Sequence, residues 1–311
     1  MERFCSFVSS RGILKSCDRH NKNPQSSSDH IDPDLLDGLN MGDSIYICYE
    51  ALPNFVRNFL PKIYTYFTLV TGDSDHDVTM YKEETDYILN HPHLMNWFVQ
   101  NRAMEHPKLK PLPIGLDFHT VWEKQGNWGI RPVSPIAQER LLLNNLFESP
   151  LPANKLNGFY CNWVTNGMYG DRQECIDKID KEVCFLENLP RSRKFMLQRQ
   201  SEFMLTVSPR GLNYECHRTY ETLALGCIPI VKRNPFLDSL YDELPVIQVD
   251  DWSEVQRGNI QKYVNLVLAQ YYDFNSLFLQ HWVAKIKGKN CSPLPRMKLL
   301  NFRELLTANY C

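Results

Sequence analysis

The chain has no surplus of charge of either sign: 34 lysines and arginines stand against 36 aspartates and glutamates, a net charge of −2 over 311 residues. A basic surface is what holds nucleic acid or anionic membrane, so neither is expected as a partner. The ten cysteines include no Cys-x-x-Cys pair and no Cys/His cluster at ligand spacing. That excludes a zinc ribbon or a small disulfide scaffold and leaves most of them as buried thiols. Long apolar runs and internal repeats are absent too. The first residues, MERFCSFVSSRGILKSC, carry charges through short apolar pieces and read as neither a secretory signal nor a membrane anchor. With 43% hydrophobic and 23% charged residues, the composition is that of a globular protein with core enough for two ordinary domains.

Apolar runs that suit buried strands lie at Ile45 to Cys48, Tyr64 to Val70, Trp97 to Val99 and Leu109 to Ile114, with a helix candidate at Phe55 to Phe59. Residues 18–40 are polar and read as an exposed connector. A helix at Ile136 to Phe147 leads into Glu148-Ser149-Pro150-Leu151-Pro152, the expected interdomain linker. Beyond it Gly158 to Val164 reads as a strand, Arg172 to Asn188 as one helix, and Ile260 to Lys287 as amphipathic helices. Alternation of this kind implies parallel sheets. The expected fold class is α/β with two Rossmann-like domains, residues 1–150 and 151–265, followed by a helical segment, 266–311, packing back toward the first domain.

The run Ser208 to Val231, SPRGLNYECHRTYETLALGCIPIV, is the most informative. Phe203 to Val207 make a strand, Pro209 and Gly211 break it, a short helix follows, and Ile228 to Val231 form a second strand after Gly226. Tyr220, Leu223, Ala224 and Cys227 fall on a core stripe, leaving Arg218 and Glu221 on another face. A helix start presents open amides and a partial positive charge, and Arg210 and Arg218 beside it suit phosphate oxygens. Glu221 is placed to accept ribose hydroxyls, unless Arg218 and Glu221 form an ordinary helix ion pair. Arg191, Arg193, Lys194, Arg199, Arg210 and Arg218 crowd this region, as an anionic ligand would want.

This stretch resembles the signature of the exostosin-like glycosyltransferases, family 47: Pro209-Arg210-Gly211, then Cys216-His217-Arg218-Thr219-Tyr220-Glu221-Thr222-Leu223, then Gly226-Cys227-Ile228-Pro229-Ile230. Cys216 stands where the pattern has serine and Thr222 where it has alanine. A Pro113-Ile114-Gly115-Leu116-Asp117-Phe118-His119-Thr120 run and Phe159-Tyr160-Cys161-Asn162 are similar to segments of small exostosin-like proteins encoded by large DNA viruses of algae. The resemblance implies a GT-B arrangement, with the nucleotide on the second domain and the acceptor across the cleft. It also implies an inverting transfer from a UDP-sugar, possible donors including xylose, onto a glycan hydroxyl, such as that of a viral capsid glycan made in the host cytoplasm. Exostosins of animals and plants are typically membrane-anchored, so a start without such a segment suggests a cytoplasmic enzyme, in which Asn290-Cys291-Ser292 would stay unglycosylated.

Donor contacts are expected from Arg172, Ser208, Arg210, Gly211, Tyr214, Arg218 and Glu221, with Thr165 and Asn166 near the same loop. Asp117 and His119, two apart at a strand end, are the expected acceptor contacts. Thr71-Gly72-Asp73-Ser74-Asp75-His76-Asp77 ends another strand and admits three readings. It is a solvated turn, or an Asp73/Asp75 metal site of GT-A type, or the source of the general base. Asp73, nearest the strand, is the expected base, with Asp75, His76 and Asp77 as its competitors. Arginines at the diphosphate leave no metal or other cofactor expected. The rival functions are a metal-dependent GT-A enzyme and a non-catalytic glycan-binding protein.

Overall fold

The computed structural model describes residues 1–123, 132–163, 169–187, 191–290 and 292–310. Two parallel sheets organise the chain. In the first, β1 (Ser44–Cys48), β2 (Phe67–Gly72), β3 (Leu94–Val99) and β4 (Leu109–Pro111) lie in sequence order. Every residue of β1 and β2 is buried, as in a parallel strand covered on both faces. Tyr64 and Tyr66 are exposed, so β2 starts later than its apolar run. Helix α1 (Ser10–Leu14) precedes β1, α2 (Leu52–Asn58) and α3 (Lys82–Leu89) cross between these strands, α4 (His119–Glu123) follows β4, and Phe55, Leu60, Leu69, Trp97 and Val99 share one core.

The second sheet runs β6-β5-β7-β8-β9, all parallel. Its strands are β5 (Leu156–Cys161), β6 (Cys184–Leu186), β7 (Phe203–Val207), β8 (Ile228–Lys232) and β9 (Ile247–Val249). The single helix expected over Arg172 to Asn188 is instead α6 (Arg172–Lys178) followed by β6. Ile179 turns extended, and Asp180 accepts the Glu182 amide in a local turn that stops the helix. The basic stretch after it forms α7 (Arg193–Ser201), capped by Ser192. Helix α8 (His217–Ala224) joins β7 to β8 as the signature requires.

Helix α5 (Pro135–Glu148) starts at a Ser134 cap with proline in its first turn and packs against α7 and α8. The segment Ile260 to Lys287 gives α9 (Ile260–Ala269) and α10 (Leu279–Ile286), and α11 (Leu299–Tyr310) follows. Here the chain returns to its own start: Phe7 stacks on Phe278 at 5.6 Å, Val8 N–H donates to Leu277 C=O, and Leu279 N–H donates to Ser6 C=O. Residues 18–40 hold no strand or helix longer than a turn, yet they are clamped down. Ile31 and Leu35 enter the first core, and Ser26 and Ser27 bond to Asp73. Seven of the eight described cysteines are buried. Among the described residues no helix is long and apolar enough to cross a membrane.

The carboxyl ends of the two sheets face each other. Ile114 N–H donates to Glu215 at 2.9 Å, Tyr214 N–H to Asn101 Oδ1 at 3.2 Å, and Arg102 Nε to Phe236 C=O at 2.9 Å. His217 Nδ1 lies 2.8 Å from the Gly115 carbonyl.

Candidate active site

Strand order in the second sheet reverses between β5 and β7. The crevice beyond the carboxyl ends of such a pair is where open α/β sheets hold ligands. Asn162 and Trp163 follow β5, and the Ser208 to Cys216 loop follows β7. Cys216 caps α8 with extended backbone but no side-chain bond; the Thr219 amide reaches the Cys216 carbonyl, and among the described residues the His217 and Arg218 amides keep open donors. Arg218 turns away from Glu221. Its Nε bonds Asn162 Oδ1, its Nη1 sits 3.4 Å from both Pro209 C=O and Cys216 Sγ, and its guanidinium lies 5.7 Å from the Trp163 ring centre. The ordinary helix ion pair is therefore not formed.

Arg172, the first residue of α6, has a buried Nε with no hydrogen-bond partner. Burial and then the neighbouring Arg218 charge lower its pKa, the mark of two cations held side by side. A side chain at Gly211 would press on the Arg172 guanidinium. Arg210 N–H donates to Asp171 Oδ1 at 2.8 Å, while its guanidinium lies 5.2 Å from the Tyr214 ring centre. Asp171 Oδ2 accepts from Trp252 Nε1 at 3.1 Å, so one carboxylate ties the β7 loop to the region after β9. Gly170, with φ of +63°, lies against the carbonyls of Arg210 and Gly211, where a Cβ would collide. Among the described residues the guanidinium groups of Arg172, Arg210 and Arg218 form no ion pair with a carboxylate. By contrast Arg191 and Arg199 of the basic stretch pair with Glu187 and Glu202, and Arg193 pairs with Glu221 at 2.7 Å.

Two of the expected donor residues are tied into the scaffold. Ser208 is buried, its hydroxyl 2.9 Å from Thr219 Oγ1. Tyr214 O–H reaches Asp77 across the cleft at 3.0 Å. A cavity of about 290 Å³ is bounded by Ser208, Arg210, Tyr214, Cys216 and Lys232. Another, of about 270 Å³, sits between the sheets and brings Arg172, Gly211 and His217 together with Asp75.

On the opposite wall Asp73 has φ of +58° and is buried. Its carboxylate lies 3.1 Å from Arg11 Nη2, accepts the Ser26 hydroxyl at 3.0 Å, and stands 3.7 Å from His119 Nε2. His119 Nδ1 is 3.2 Å from Asp117. Burial alone would raise the Asp117 pKa, but His217, His119 and the Thr120 amide outweigh it and bring the group to about 2. Asp73, His119 and Asp117 thus form one chain, with His217 of the other unit acting on its far end. Asp75 is exposed and Asp77 is taken by Tyr214. Thr165, Asn166 and Cys291 lie outside the described residues.

Arg11 and Asp171 carry the site without having been singled out for it, while Arg193 stood out only as one of the basic crowd and Asn162 only within the Phe159 to Asn162 segment. Of the two, Asp171 left a local signal, an acid immediately before a helix.

Residues 168–289 match the family model described as RXYLT1 C-terminal domain. The match holds α6 through α10, including the three unpaired arginines and Glu221. No curated protein matches the chain. Among solved structures it is similar to an alpha,alpha-trehalose-phosphate synthase (UDP-forming) from Burkholderia vietnamiensis, with 10% identity, 88% of this chain and 72% of that one covered, and a TM-score of 0.38.

Proposed function

We propose that the protein is an inverting, metal-independent glycosyltransferase that moves a sugar from a UDP-sugar to a glycan hydroxyl. The observation that carries this reading is the group Arg172, Arg210 and Arg218, set at the switch point of the second sheet with no guanidinium–carboxylate ion pair among the described residues. Cations kept together against their mutual repulsion need an anion, and a diphosphate supplies one. As the acceptor oxygen bonds to the anomeric carbon, the bond to the diphosphate oxygen breaks and that oxygen takes the electron pair. The arginines and the open amides of α8 then offset the growing charge. The proton of the acceptor passes to the Asp73–His119 pair, whose 3.7 Å gap leaves His119 short of a hydrogen bond to Asp73. Asp117 and His119 orient the acceptor, and Glu221 meets the donor ribose.

Xylose as the sugar, a viral capsid glycan as the acceptor and the cytoplasm as the location belong to this proposal through the resemblance to family 47 and its algal-virus members. A GT-A metal site on Asp73 and Asp75 is disfavoured because the Asp73 carboxylate is already engaged by Arg11 and Ser26. Thermal stabilisation by a panel of nucleotides and UDP-sugars, with and without EDTA, tests the whole reading. A ligand at a hundred times its Kd adds about 2.7 kcal/mol to the native state. Stabilisation by one UDP-sugar that survives EDTA, with turnover measured as UDP release, is the expected result. Stabilisation that requires a divalent cation would transfer the site to the aspartates. None with any nucleotide would leave a glycan-binding protein.

A further inference from the structure

Glu221 carries an asymmetry that the signature alone does not reveal. One oxygen, Oε1, is held by Arg193 Nη2 at 2.7 Å, with both side chains about one-eighth exposed. Among the described residues Oε2 has no hydrogen bond and no ion pair. Arg193 opens α7, whose Ser192 cap fixes the helix start, and α7 packs on α8, so the two partners sit on neighbouring helices that cannot slide independently. The charge of Arg193 is itself secured: burial opposes it, but Glu221 and then Asp117 of the facing unit outweigh burial and raise its pKa. Arg218, three residues before Glu221 on the same helix, is turned to Asn162 and does not compete for the carboxylate.

We infer that Arg193 is a positioning residue: by clamping Oε1 it holds Glu221 with Oε2 free to accept both vicinal hydroxyls of the donor ribose, and so sets the preference for ribonucleotides over deoxyribonucleotides. This rests on the nucleotide-donor reading above. A buried guanidinium bonded to one oxygen removes side-chain freedom that would otherwise let the carboxylate turn to solvent. A hydroxyl hydrogen bond to a charged acceptor discriminates by roughly ten- to a hundredfold against a ligand lacking that hydroxyl.

The test measures, by calorimetry on the full chain, the affinity of whichever of UDP, GDP, CDP and ADP binds best, of its 2′-deoxy and 3′-deoxy analogues, and of inorganic pyrophosphate. The wild-type protein should prefer the ribonucleotide by about tenfold or more. In Arg193→Met that preference should fall to within about twofold while pyrophosphate affinity, which rests on Arg172 and Arg218, stays unchanged. Arg193→Lys should restore part of it, since an ammonium can still reach Oε1 from one side. Glu221→Gln gives a second route if Arg193→Met does not fold, and should lose the preference as Arg193→Met does. A folded Arg193→Met that keeps the wild-type preference overturns the inference, as does a wild-type protein that binds nucleotides without distinguishing the sugars. A wild-type protein that binds no nucleotide and no pyrophosphate overturns the donor reading itself.

Discussion

Asp73→Asn separates chemistry from architecture at the strand end where both meet. Asp73 and Arg11 are 3.1 Å apart with side chains 3% and 1% exposed, so the substitution leaves a guanidinium buried without its main counterion. Breaking such a pair costs about 3–5 kcal/mol. The lower end applies, because Glu123, 30% exposed, remains 3.4 Å from Arg11. Backbone strain adds nothing: the φ of +58° suits asparagine as well as aspartate. About 3 kcal/mol is a large part of the roughly 5–15 kcal/mol that holds a folded domain. It should lower Tm by roughly 6–12 °C at about 2–4 °C per kcal/mol. Urea unfolding of the wild type, Asp73→Asn, Arg11→Met and the double variant makes a cycle. The singles should each lose stability and the double should recover about 2 kcal/mol of their sum. Singles that add to within about 0.5 kcal/mol would refute the pairing. Turnover assayed well below the lowered Tm then isolates the chemistry. A rate unchanged in Asp73→Asn would confine Asp73 to structure and remove it from proton transfer.

The strand, loop, helix and strand from Phe203 to Lys232 were legible because everything that makes them is local: apolar pattern, Pro209, Gly211 and Gly226 are contiguous, and β7, α8 and β8 form where that pattern places them. The parallel sheets followed from alternation of short elements. Partners far apart in the chain were not legible. Glu221 looked like a mate for Arg218 three residues away, but its mate is Arg193, 28 residues back on another helix. Glu215, an ordinary acid in the sequence, is buried and takes the Ile114 amide 101 residues away, together with the hydroxyls of Tyr220 and Tyr241. The basic stretch looked uniformly electropositive, and only tertiary pairing separates the matched arginines from Arg210 and Arg218. Helix α6 was drawn too long because the turn at Asp180 contains neither glycine nor proline to announce it.

Arg218→Lys should cost about a hundredfold in kcat/KM, since an ammonium cannot serve Asn162 and a phosphate together, and kinetics with the donor checks it. Gly170→Ala combines an unfavourable φ with a collision at the Arg210 and Gly211 carbonyls, so a loss of at least about 2 kcal/mol is expected in urea unfolding. His281, whose Nε2 is buried without a partner, has its pKa lowered from 6.5 to about 4 by burial and then by Lys285. The unfolded chain therefore binds the proton first: stability is unaffected above pH 6.5 and should fall by about 3 kcal/mol as pH drops from 6.5 to 4. Subtracting the pH–stability curve of His281→Gln from that of the wild type should isolate this fall, and parallel curves would refute it. Cys216→Ser restores the residue that the family pattern has at the start of α8. The backbone there is already extended, with φ of −136° and ψ of 134°, and the thiol caps nothing. A serine hydroxyl can accept the Thr219 amide, which now reaches only the Cys216 carbonyl at 3.0 Å. Such a cap contributes about 1 kcal/mol, but it also draws the third amide of α8 further from any anion at the helix start. The variant should be more stable without ligand yet gain less from added pyrophosphate. Equal gains in both proteins would show that the third amide of α8 takes no part in holding the diphosphate.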